Sequence, residues 1–134
     1  MDLVRTNVTG LTKYRGRTGQ ITFLLHRLTG LGTLLFLAIH ILDTSTVYFF
    51  PSLYEHAIAL YRSTPMMLGE IILVFCVIYH GVNGIRIAVF DLFFPDKWTL
   101  EIQPKVAVWS IAISVLLWLP AAFLMARAIV THNL

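Results

Sequence analysis

Three long apolar segments, two of them broken by polar positions, dominate the hydropathy pattern of the chain. Residues 106–126 read VAVWSIAISVLLWLPAAFLMA and carry no charged side chain. At 1.5 Å rise per residue such a run covers the ~30 Å hydrocarbon core of a bilayer. A segment from about Ile21 to Phe50 is also long enough, although it contains His26, Arg27, His40 and Asp43. So is one from about Met66 to Phe94, which contains Glu70, His80, Asn83, Arg86 and Asp91. The pattern predicts an all-α integral membrane protein with three transmembrane helices over about 21–50, 66–94 and 106–131. Residues 1–20 form an N-terminal arm and 21–134 the membrane domain. Pro51 and Pro65 bracket the first connection, Pro95 and Pro104 the second, each a plausible helix start or stop.

Composition agrees with that reading. The chain is 57% hydrophobic and only 13% charged, with a mean hydropathy of +0.77, whereas soluble domains are about one quarter charged. The net charge of +3 is distributed as a topology signal. Arg5, Lys13, Arg15, Arg17 and Arg27 precede or open the first span, and Arg86, Lys97 and Lys105 flank the second connection. Arg62 alone marks the first connection, so the N-terminus and the second connection are expected on the cytoplasmic side. No basic soluble face suited to nucleic acid is present. Cys76 is the single cysteine, which excludes an internal disulfide. Tyr48, Phe49, Phe50, Phe93, Phe94 and Trp98 stand at span ends, where aromatic side chains anchor helices in the interface.

Ionisable residues at membrane depth are costly and normally face the bundle interior, where they mark function. His40 lies thirteen residues beyond Arg27, about 20 Å along the first helix. His80 precedes Arg86 by six residues on the antiparallel second helix, about 9 Å from the same membrane surface. The two therefore occupy different depths. Neutral imidazole is a frequent axial ligand of haem iron, and Gly81 and Gly84 beside His80 leave room for a flat macrocycle. The competing reading of His80 is a hydrogen-bonding partner across helices; that of His40 is a hydrogen-bonded pair with Asp43 at the helix end. Arg27 and Arg86 can snorkel to the headgroups, or pair with haem propionates or a quinone carbonyl. Thr22 and His26 share a helix face with the same cavity in reach. The third helix reads as a packing helix, kinked at Pro120.

HRLTG at 26–30, followed by YHGVNGIRIAVFD at 79–91, resembles the cytochrome b membrane-anchor subunit of succinate dehydrogenase, the large anchor chain of the two-anchor type. The resemblance runs from about Gly19 to Arg127. It implies that His80 ligates a haem b iron, with the opposite ligand from a second membrane-anchor subunit in a shared helical bundle. It implies a quinone site, for ubiquinone or menaquinone, at Arg27. His26 and Arg86 would meet the haem propionates. Asp91 matches the family's acidic residue at the cytoplasmic helix end. Where many members carry a serine, this chain has Phe23, with the hydroxyl one residue earlier on Thr22 as the quinone contact. Branches with two haems place an outer ligand where His40 stands. The implied partners are an iron–sulfur subunit and a flavoprotein subunit in a bacterial cytoplasmic membrane, the mitochondrial inner membrane fitting less well. Electrons from succinate would pass through those subunits to the quinone, and no complete active site lies on this chain. A haem-free anchor of the same complex, a quinol:fumarate reductase running in reverse and a small transporter are the alternatives. The last lacks the repeated half that transporters commonly show.

Overall fold

The computed structural model describes residues 18–133, with side chains to Thr131. Arg5, Lys13, Arg15 and Arg17 of the expected arm lie outside the described residues, as does the side chain of His132. Four helices and one short turn make up the described chain: α1 (Thr18–Phe49), α2 (Pro51–Tyr61), α3 (Thr64–Phe93), a 3-10 turn (Pro95–Lys97) and α4 (Ile102–Asn133). α1, α3 and α4 are each long and apolar enough to cross a membrane. α3 lies in the middle, packed against α1 on one side and α4 on the other. The protein is a multi-pass helical membrane protein.

The prolines act as helix starters. Pro51 and Pro65 stand in the first turns of α2 and α3, where a missing amide proton costs nothing because those amides have no intrahelical partner. Pro104 lies in the first turn of α4, so this helix begins ahead of the expected 106. Thr99 explains the early start: its Oγ1 accepts the amide of Ile102 at 3.4 Å and its carbonyl that of Gln103 at 3.0 Å, a cap for the new helix. α4 then continues through Pro120 as one helix.

α2 was not expected from the pattern, which reads residues 51–65 as a connection. Tyr54, Ala57, Ile58 and Tyr61 recur at helical spacing and are the half-buried positions of this short element. They turn toward α1, and Tyr61 donates a hydrogen bond to the Asp43 carboxylate there.

Burial is inverted relative to a soluble domain. The buried residues are mostly small or polar: Thr22, Thr29, Asn83, Ala107, Ser110 and Ser114, with Tyr79 the largest. Leu31, Leu116 and Phe123 are two-thirds exposed, at 66%, 69% and 69%, as suits side chains that face acyl chains. Helices in lipid gain little from hiding leucine and associate instead through close packing of small residues and hydrogen bonds. Ala107, Ser110 and Ser114 form such a stripe against α3. Ser110 donates to Asn83 at 3.4 Å, Ser114 donates to the Ser110 carbonyl at 2.7 Å, and Trp118 donates to the Ile71 carbonyl at 3.0 Å.

Candidate functional site

One end of the bundle, where α1 begins, α3 ends and α4 begins, holds a cavity of about 510 Å³. That volume is within the usual range for small-molecule sites, about 300–1,000 Å³. α1 contributes Thr22, Phe23 and His26; α3 contributes Asn83, Arg86 and Asp91; Trp98, Leu100 and Gln103 close the remaining side. The 3-10 turn folds the chain back so that the Trp98 indole donates to Asp91 Oδ1 at 2.8 Å, with the Phe90 ring 5.5 Å away. A side chain read from sequence as an interfacial anchor is thus a cavity wall.

Three buried side-chain nitrogens have no hydrogen-bond partner among the described residues: His26 Nδ1, Arg86 Nε and Gln103 Nε2. Each belongs to a residue that lines this cavity. Leaving such a group unpaired costs about 1–3 kcal/mol, so three of them on residues around one space mark a place for a polar ligand; Arg86 Nε and Gln103 Nε2 only donate, whereas a neutral His26 Nδ1 donates in one tautomer and accepts in the other. Thr22 is spent differently. Its hydroxyl hydrogen turns back onto its own helix, toward the carbonyls of Thr18 at 3.1 Å and Gly19 at 3.0 Å, which leaves it an acceptor toward the cavity.

Behind His26 stands His80. Their rings are stacked, with centroids 4.1 Å apart and planes within 5°. His80 Nδ1 is 3.1 Å from the His26 carbonyl oxygen. A carbonyl only accepts, so in the neutral ring Nδ1 carries the proton and Nε2 keeps its lone pair. Glycines flank the stack on both helices. A Cβ at Gly30 would lie 2.8 Å from His80 Cε1, whereas one at Gly84 would lie 3.8 Å from His26 Cε1. The recess at Gly84, expected to admit a macrocycle, is where the His26 ring sits. Gly81 faces open space.

The remaining expected residues are elsewhere. Arg27 is exposed and lays its guanidinium over the Phe23 ring at 4.5 Å. It therefore reaches the cavity only through Phe23, itself a wall residue. His40 lies roughly 21 Å along α1 from His26, exposed, with its ring 5.5 Å from Phe36. It borders a shallow furrow of about 390 Å³ with Thr44, Tyr48 and Phe49, formed on α1 alone. The expected His40–Asp43 pair is corrected by the structure, because Asp43 is turned to Tyr61 of α2. The helical loop, invisible as an element in the hydropathy pattern, supplies the partner.

Sequence reasoning gathered His26, Arg86, Thr22 and Asp91 and missed Gln103 and Trp98. Gln103 precedes the apolar run and looked like loop. Its signal was Thr99 with Pro104 five residues on, a cap followed by a first-turn proline, which starts α4 early enough to aim Gln103 inward.

The fold is a three-span membrane bundle with a polar-lined cavity and a stacked imidazole pair at one end. The chain belongs to the succinate dehydrogenase/fumarate reductase transmembrane subunit family, whose family model matches residues 1–119. It is also similar to the succinate dehydrogenase 2 membrane subunit of Mycobacterium tuberculosis, 35% identical over 80 residues. That match covers 60% of this chain and 59% of the curated relative's length. The resemblance carried by HRLTG and YHGVNGIRIAVFD is to this family, and the chain is a membrane-anchor subunit within it.

Proposed function

We propose that this chain binds haem b and helps to form the quinone site of a succinate:quinone oxidoreductase, taking electrons from an iron–sulfur subunit that is itself fed by a flavoprotein. The observation that carries the reading is that three residues, each with an unpartnered buried nitrogen, line one cavity of about 510 Å³. A quinone headgroup is a flat apolar ring with two carbonyl acceptors. Phe23, Trp98 and Leu100 supply flat and apolar walls, and Gln103 Nε2 a neutral donor. Arg86 Nε and His26 Nδ1 stand nearer the imidazole stack and suit the carboxylates of a haem, charge-assisted in the case of Arg86.

The donor set at His80 fits a residue that would hold a haem iron. Metal-bound histidines generally donate their second ring nitrogen to a carbonyl or carboxylate, which fixes the tautomer and raises basicity. His80 does this through Nδ1 and the His26 carbonyl. His26, stacked face to face on His80, would not supply a second ligand to the same iron. Such a ligand would come from a second anchor subunit. When bound, the haem supplies a one-electron carrier beside the quinone. His40 is the candidate for a second haem at the outer end, with Arg27 as a further quinone contact at the cavity rim.

The test is a reduced-minus-oxidised spectrum and haem-to-protein ratio of the purified complex, for wild type, His80→Ala and His40→Ala. Loss of a b-type band in His80→Ala supports the assignment, and loss of a further band in His40→Ala adds the second haem. A His80→Ala variant with undiminished haem sinks the assignment of His80, and a wild-type complex without haem sinks the haem reading and leaves the quinone-site anchor.

A further inference from the structure

We infer that Gly30 is a positioning residue for His80: by lacking a side chain it uncovers the His26 carbonyl one turn earlier, so that the imidazole docks there in a single tautomer and ring plane. This rests on the reading of His80 as the iron ligand.

In an α-helix every Cα–Cβ bond tilts toward the N-terminus, so the side chain at one position overhangs the turn that precedes it. The carbonyl of His26 points along the helix toward the amide of Gly30, its i+4 partner. A Cβ at position 30 would stand beside that oxygen, on the side from which His80 approaches. It would lie 2.8 Å from Cε1 and 3.2 Å from Nδ1 of His80. The first distance is closer than two carbon atoms approach without something moving, and the second crowds the atom that makes the 3.1 Å hydrogen bond.

The ring has little room to give way. One face is stacked on His26 at 4.1 Å, and its own Cα is carried by α3, which α4 holds from behind. The single hydroxyl hydrogen of Thr29 has the Leu25 carbonyl at 2.8 Å as its nearer acceptor, against 3.1 Å for the His26 oxygen. The other glycines of the region do not share this geometry. A Cβ at Gly84 meets the His26 ring at an ordinary 3.8 Å, and one at Gly81 meets nothing. Gly32 is tight as well, a Cβ there meeting Cys76 Sγ at 3.0 Å, but only at position 30 does the added carbon meet His80, and what glycine protects there is the orientation of one imidazole.

The experiment compares wild type, His80→Ala, Gly30→Ala, Gly69→Ala and the double variant Gly30→Ala/His80→Ala in membranes that carry the whole complex. The readouts are chain abundance, the reduced-minus-oxidised band and the low-spin ferric resonance. Gly30→Ala is expected to lose b-type absorbance or displace the resonance, while Gly69→Ala, eleven residues from His80 and with nothing near an added Cβ, matches wild type. A Gly30→Ala spectrum identical to wild type overturns the inference while leaving His80 as ligand. If Gly30→Ala fails to accumulate, the double variant decides. Recovery once the imidazole is gone supports a collision with His80, and continued loss makes Gly30 a helix-packing residue and refutes the inference. Absence of a band in wild type refutes the underlying reading, and the inference with it.

Discussion

Gln103 carries a buried amide nitrogen that nothing among the described residues satisfies, and that imbalance makes a prediction with two signs. A site built for ligand holds its donors at some expense to the empty protein. Gln103→Leu should therefore leave the thermal midpoint of the quinone-free complex unchanged or higher, while quinone affinity falls roughly two- to tenfold, the worth of one neutral hydrogen bond. A thermal-shift series with and without quinone reads both. A fall in stability with no change in affinity would make Gln103 structural. Arg86 and His26 were legible from sequence because charge and imidazole inside an apolar run stand out. Gln103 was not, since an uncharged amide just outside such a run has no contrast with its surroundings. Arg27 stood out as strongly as Arg86, yet helical rotation of one residue past His26 turns it outward onto Phe23. Hydropathy marks depth and leaves facing to the packing of neighbours.

The three spans were legible because each is a long run that only a bilayer accommodates, whereas α2 was not, its four inward positions being too few to register against a polar loop. What secures α2 is the Tyr61–Asp43 hydrogen bond. The Asp43 carboxylate as acceptor, then burial, then the negative charges of Asp43 and Glu70 push the Tyr61 phenol from its ordinary 10.0 up to about 12. A folded-state value above the unfolded one means that the tie is fully present below pH 10 and is lost as pH rises through about 12. The difference in phenolate absorbance between wild type and Tyr61→Phe should titrate near 12, and Asp43→Asn should bring it back toward 10. A wild-type midpoint already at 10 would dissolve the contact. α4 offers a second test at this scale. Ser114 is fully buried against α3, so Ser114→Leu should overpack that interface and cost about 1–3 kcal/mol, seen as a lower detergent-denaturation midpoint. Leu116→Ala, at a side chain 69% exposed toward lipid, should change it little.

At the scale of the whole molecule, the cavity, the imidazole stack and the second connection all lie at one end of the bundle, and the function depends on which side of the membrane that end faces. On the proposed function, electrons would arrive through soluble iron–sulfur and flavin subunits and protons would be consumed at the quinone, and both would require this end to face the cytoplasm. The charge distribution points the same way, with Lys97 and Lys105 beside the cavity and only Arg62 in the opposite connection. Single cysteines introduced into a Cys76→Ser background separate the two orientations: His56→Cys on exposed α2 and Lys97→Cys in the turn beside Trp98. In intact cells a membrane-impermeant maleimide should label position 56 and spare 97, and disruption of the cells should make 97 reactive. The opposite pattern would put the donor-lined cavity outside the cell, out of reach of cytoplasmic redox subunits, and would rule out electron entry at this end.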